Sequence, residues 1–130
     1  MTFTIDREPV PKARPRFYQG HAITPSRTKA YEAAVRRHYL AASGKLHEGA
    51  IRIDITFYMP VPKSRSKKDK KLMLEGRIRP QGRPDIDNLE KAVWDALNGY
   101  AWTDDARIVE SSAKKLYAEH SCSVVTIEEL

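Results

Sequence analysis

The residues with the clearest chemical potential are aspartates. Asp85 and Asp87 stand one residue apart in the run Arg83-Pro84-Asp85-Ile86-Asp87-Asn88-Leu89-Glu90-Lys91, and the pair Asp104-Asp105 follows after a turn at Asn98–Tyr100. Carboxylates at i and i+2 leading into a helix converge on one point when the first closes an extended segment. Asp87 is then expected at or near the helix N-cap, where its oxygen accepts a backbone N–H and the helix dipole favours its charge. Taken singly, that cap accounts for Asp87, at about 1 kcal/mol, and a tight turn accounts for Asp104-Asp105. Taken together, three or four gathered carboxylates repel one another unless a cation neutralises them. Mg²⁺ takes hard oxygen ligands, few of them from protein, and fills the remainder with water and substrate phosphate. Lys91, four residues beyond Asp87, shares its helix face and can pair with it or reach a phosphate. The chemistry these types and spacings suggest is metal-assisted phosphodiester hydrolysis.

A polyanionic substrate fits the distribution of charge. The chain of 130 residues carries 23 basic and 17 acidic side chains, a net charge of +6. Lys12–Arg37 holds seven basic residues against one acid, and Lys63–Arg83 nine against two, so the rest of the chain is acidic. Two basic segments on an acidic body suggest a nucleic-acid footprint, whereas a solvated loop and a solvated helix face would be the plainer explanation. Lys12, Arg14 and Arg16 in the first segment, and Lys67, Lys68, Lys70, Lys71 and Arg83 in the second, are the candidate DNA contacts.

The elements that must position these groups can be read from periodicity. Thr2–Arg7 alternates as a short strand, and Pro9, Pro11 and Pro15 make the next stretch an extended basic arm. A weak strand near His21–Thr24 precedes a helix over Thr28–Ser43, with an apolar stripe of Tyr31, Val35, Tyr39 and Ala42. Ile51–Met59 alternates strictly and is the firmest strand; Pro60 and Pro62 end it. Ser64–Leu74 suits a short basic helix and Glu75–Gly82 a loop. A helix over Ile86–Asn98 shows Leu89, Val93, Ala96 and Leu97 on one face, with Gly99 placed as its C′ residue. Arg107–Tyr117 and Ser121–Glu128 read as strands of a hairpin. The expectation is one domain over residues 1–130: an α+β fold, a small mixed or antiparallel sheet with two main helices packed on it.

Arg83–Lys91, Asp95-Ala-Leu-Asn-Gly99 and Trp102-Thr-Asp-Asp-Ala-Arg-Ile108 resemble the signature of the RusA family of Holliday junction resolvases. The specific match covers about a fifth of the chain, supported by the early basic Pro-rich stretch and by Pro62-Lys63-Ser64. The resemblance implies that Asp85, Asp87 and Asp105 are the essential, metal-holding carboxylates, that Lys91 is the catalytic lysine and that Asp104 is a helper. It also implies a homodimer, common in phages and prophages, that uses Mg²⁺ (or Mn²⁺ in its place) and no organic cofactor to nick two opposed strands of a four-way junction. The long basic segment Ser64–Gly82 is not part of every family member, and the basic residue that some relatives carry just before the first aspartate is here one step back, at Arg83.

Other features point elsewhere or nowhere. Phe17, inside the basic arm, is a candidate wedge for unstacked bases, while Tyr31 and Tyr39 belong to a core stripe. His21, His38, His47 and His120 have no metal or triad spacing, and surface or loop positions are expected for them. The lone Cys122 reads as a core thiol, no segment reads as a signal peptide or membrane span, and a reducing cytoplasm is the expected setting. Two rivals stand beside the resolvase: a non-catalytic basic DNA-binding module, and a carboxylate phosphodiesterase acting on RNA or flaps.

Overall fold

The computed structural model describes residues 1–13, 16–23 and 25–130, with side chains throughout except at 16–18 and 21–23. Its elements run β1 (Thr2–Ile5), β2 (Arg16–Tyr18), β3 (His21–Ile23), α1 (Ser26–Ala41), β4 (Ile51–Pro60), α2 (Lys67–Leu74), α3 (Ile86–Leu97), β5 (Ile108–Ala118) and β6 (Cys122–Glu129). The backbones of β2 and β3 pair as a small ribbon, and the other four strands form one sheet in the order β1-β6-β4-β5. β1–β6 and β6–β4 are antiparallel and β4–β5 is parallel, so the sheet is mixed and the fold is α+β, as expected.

β5 and β6 do not form the expected hairpin. β4 lies between them, and the link 119–121 arches over the end of β4, where Pro60 stands opposite Ala118 and Tyr58 opposite Cys122. The strict alternation of β4 explains its central place. Ile51, Ile53, Ile55, Phe57 and Met59 are all buried on one face, and a strand this apolar is best shielded with neighbours on both sides. A parallel partner cannot be reached by a tight turn, so the chain from β4 to β5 makes a crossover that contains α2 and α3.

α3 packs on α1 and β5, burying Leu89, Ala92, Val93, Ala96 and Leu97. α1 buries Tyr31, Ala34, Val35 and Tyr39; Ala42, expected in that stripe, lies just past the helix end and is exposed. Tyr39 meets Phe3 edge-on at 5.3 Å and donates its hydroxyl to the Lys45 carbonyl. Gly44 is required there, since a Cβ would lie 2.5 Å from the Tyr39 ring. His47, expected at a surface or loop position, lies in the loop between α1 and β4 and is buried there, with its backbone N–H donating to the Ala101 carbonyl. The opposite face of the sheet is polar: Arg52 bridges Glu110 and Glu128 across three strands. α2 leans on β5, anchored by buried Met73 and capped by Ser66, whose Oγ accepts from the Asp69 N–H at 3.1 Å.

Among the described residues no helix is long and apolar enough to cross a membrane.

Candidate active site

The crossover dictates where the aspartates sit. The chain leaves the C-terminal end of β4, passes through α2, and starts α3 close to that same strand end, the position where parallel β-units gather ligands. Met59, near the end of β4, and Asp85, at the start of α3, accordingly line one cleft. Lys115 of β5 fixes the approach to the helix. Its ammonium donates to the carbonyls of Gly82 and Pro84 at 2.8 and 2.9 Å.

Asp85, not Asp87, is the N-cap residue of α3, because the helix begins at Ile86. Its backbone has the extended conformation of a cap, yet its carboxylate makes no capping hydrogen bond and is exposed. Asp87 lies in the first turn, where its Oδ1 accepts from the Asn88 N–H at 2.9 Å. The N-cap position expected for Asp87 thus falls to Asp85, whose side chain makes no capping bond and is exposed.

Three clefts meet along this helix start. The first, about 530 Å³, is lined by Glu8, Pro9, Pro11, Lys12, Arg27, Met59, Arg83, Pro84, Asp85 and Asn88. A second, about 580 Å³, contains Arg83, Asp85, Asp87 and Lys115. A third, about 300 Å³, runs along α3 past Asp87, Glu90, Lys91, Trp94 and Asp95 to Asp105. Asp85 therefore stands between the first two and Asp87 between the second and third.

Asp105 opens a short 3-10 turn, Asp105–Arg107, and its Oδ1 accepts the indole N–H of buried Trp102 at 2.8 Å. Asp104 caps that turn through Oδ1, which accepts from the Ala106 N–H at 2.9 Å. Lys91 is exposed on α3 and lines the third cleft with Asp87 and Asp105. Asp85 and Asp87 thus share the second cleft, and Asp87 and Asp105 the third. Among the described residues, no three acidic, histidine or cysteine side chains are grouped closely enough to hold a metal ion. The donor set nonetheless suits Mg²⁺, which needs only one or two protein carboxylates and takes its other ligands from water and phosphate. The exposed carboxylate of Asp85, with that of Asp87 two residues on, would supply such hard oxygens.

Several neighbours escaped the sequence reading. Glu90 is one turn from Asp87; burial, and then the charge of Asp87, raise its pKa. The i, i+3 spacing on α3 was the available signal. Arg27 and Lys115 had no local signal, since tertiary packing alone brings them to the aspartates.

The predicted DNA contacts divide into three groups. Lys12 is committed within the protein: its ammonium lies 2.7 Å from Glu32 and 3.2 Å from Asp95, and its backbone N–H donates to the Asn88 carbonyl. Burial alone would lower its pKa, but the hydrogen bonds to Glu32 and Asp95 together with their negative charges outweigh that and leave it raised. Lys67, Lys68 and Lys71 project from α2 into solvent, with Lys70 half-buried, and Arg83 is exposed. The side chains of Arg14, Arg16 and Phe17 lie outside the described residues.

The sequence profile of the family Endodeoxyribonuclease RusA matches residues 6–128, and the chain belongs to that family. It is 34% identical over 140 residues to the uncharacterized protein YqaN of Bacillus subtilis, covering 98% of this chain and 95% of that one. It is 30% identical over 101 residues to the crossover junction endodeoxyribonuclease RusA of Shigella sonnei, covering 71% of this chain and 76% of the relative. The same figures hold for the protein of that name from Escherichia coli K12.

Proposed function

We propose that this protein is a Mg²⁺-dependent, structure-selective DNA endonuclease that resolves four-way junctions by paired nicks, in recombination and repair. The observation that carries the reading is Asp85: a helix-cap residue whose carboxylate caps nothing, exposed where two clefts meet and lining the second with Arg83 and Lys115. Asp85 and Asp87 hold the ion, with Asp105 reached through the cleft that Asp87 shares with it. Mg²⁺ bound there supplies a Lewis acid for the phosphodiester and acidifies a water; Mn²⁺ can replace it. Lys91 adds positive charge beside the phosphate as charge builds on it in the transition state. Lys67, Lys68, Lys70, Lys71 and Arg83 neutralise backbone phosphates, so selection is by the shape of branched DNA.

A four-way junction has approximate two-fold symmetry, and one chain carries one aspartate set. A C₂ homodimer is the simplest arrangement that delivers two symmetric cuts. A reducing, DNA-containing compartment such as the bacterial cytoplasm suits this activity.

The test is a synthetic four-way junction of fixed branch point, incubated with and without Mg²⁺. Symmetric nicks that need the ion are expected. Binding without cleavage in Mg²⁺ and Mn²⁺ alike would make the protein a DNA-binding module, and preferential cutting of flaps or RNA would assign another substrate. In mixed dimers with one Asp85→Asn subunit, a cruciform plasmid should yield nicked circles in place of linear product.

A further inference from the structure

The first cleft, between the start of α1 and the segment Arg83–Asn88, lies beside the aspartates and has no role assigned to it so far. We propose that it seats the nucleotide adjoining the scissile phosphodiester, with Arg27 and Arg83 clasping that nucleotide's phosphate and Pro9, Pro11 and Met59 supporting its sugar and base. The inference rests on Asp85 being part of the cutting site.

Four features of the cleft lead there. Its volume of about 530 Å³ falls within the ~300–1,000 Å³ typical of small-ligand sites. Its cations are suited to phosphate: Arg27, in the first turn of α1, and Arg83 are exposed, and neither makes an ion pair or hydrogen bond among the described residues. Guanidinium groups meet a phosphate through two parallel N–H donors, a geometry that the lysine ammonium lacks. Lys12, the third cation on the wall, is already neutralised by Glu32 and Asp95, so it offers the substrate little charge.

The remaining wall is apolar rather than charged. Pro9, Pro11, Met59 and Pro84 line it, which suits a deoxyribose and a base face better than a bare phosphate. Glu8 is the acid on the wall besides Asp85, and it disfavours a second phosphate. One nucleotide therefore matches this cleft better than a run of backbone.

Position completes the argument. Arg83 and Asp85 line both the first and second clefts, so a strand crossing Asp85 leaves its neighbouring nucleotide in the first. Phosphate contacts of this sort set register on the nucleic acid. Arg27 is thus a binding residue that fixes which phosphodiester meets the aspartates.

The experiment couples the protein to the DNA. Junctions are made with a neutral methylphosphonate at the phosphate next to the nick, on each side in turn, and cleavage by the wild-type protein in Mg²⁺ is compared with cleavage by Arg27→Gln. On one side the methylphosphonate should slow the wild type about tenfold, the scale of a charged hydrogen bond. The same substitution should slow Arg27→Gln less than about twofold, because both changes remove one shared interaction. Arg83→Gln is the second variant, expected to couple to the same phosphate. Met59→Ala, made in parallel, should shift the position of the nick or its base preference. Independent, multiplying losses at both phosphates for both arginines would overturn the nucleotide seat while leaving the endonuclease reading intact. A wild-type protein that cuts no DNA would remove the endonuclease reading, and the seat with it.

Discussion

The indole N–H of Trp102 donates to Oδ1 of Asp105 across 2.8 Å, joining a fully buried ring to a half-buried acid. The bond engages one oxygen of Asp105, a residue that also lines the cleft along α3. Trp102→Phe should cost about 1–3 kcal/mol through lost core volume, read as a lower midpoint in urea. It should also raise the Mg²⁺ concentration needed for half-maximal cleavage several-fold, which loss of stability alone would not do. An unchanged Mg²⁺ requirement in a folded variant would make the bond purely structural.

Asp85 and Asp104 are both exposed cap residues, but only Asp104 uses its side chain as a cap. Asp104→Ala should lose about 1 kcal/mol of stability and keep most of the cleavage activity. Asp85→Asn should melt within a degree or two of wild type, cut at least about a hundredfold more slowly, and bind junctions as well or better, since a charge repelling DNA is gone. Cleavage at the wild-type rate by Asp85→Asn would remove that residue from the site.

The ion pairs of Lys12 bear on how binding responds to salt. If Lys67, Lys68, Lys70 and Lys71 each meet a phosphate, replacing all four with glutamine should reduce the log–log salt slope by about 0.9 for every phosphate no longer neutralised. Lys12→Gln should leave that slope unchanged and instead lower stability, because Glu32 and Asp95 lose their shared counter-ion. A slope that Lys12→Gln flattens would place its ammonium on DNA after all.

β4 and α3 were legible because their signals are local. Ile51, Ile53, Ile55 and Phe57 alternate without a break, and Leu89, Val93, Ala96 and Leu97 repeat at helical spacing. The pairing of β5 was not, since a three-residue link to β6 ordinarily means a hairpin and only the burial demand of β4 separates the two. The aspartates were legible as types and spacing. Which one caps α3 turned on a single residue of helix start, at Ile86, and the partners of Lys12 come from two different helices. Charge counted along the chain identified basic segments but not which cations are already neutralised.

Tyr31 carries a pH dependence. Burial pushes its hydroxyl up to about 12, with Ser123 and Arg7 offsetting part of the shift, and the oxygen has no hydrogen-bond partner in good geometry among the described residues. The folded value lies above the unfolded value of 10.0. The neutral phenol's contribution is therefore intact below pH 10 and is lost as pH rises toward 12, amounting to ~2 kcal/mol by the upper end. Tyr31→Phe should be nearly as stable as wild type at pH 7 and should lose less stability between pH 10 and 12. Equal losses for both proteins in urea titrations across that range would exclude Tyr31 as the source.

Strand order in the sheet differs from the order in which a ribosome makes the strands. β1 precedes the other strands in this sequence, yet its neighbour in the sheet is β6, which follows them, and β4 gains its second neighbour only when β6 arrives. The basic helix α2 and the aspartates at the head of α3 leave the ribosome before the sheet that positions them can close. Pairings this distant in sequence form late. A chain interrupted before Cys122 keeps every candidate catalytic residue and the β4–β5 pair but lacks β6, the strand that ties β1 to β4, so the last strand to pair is the one that completes the sheet behind the aspartates.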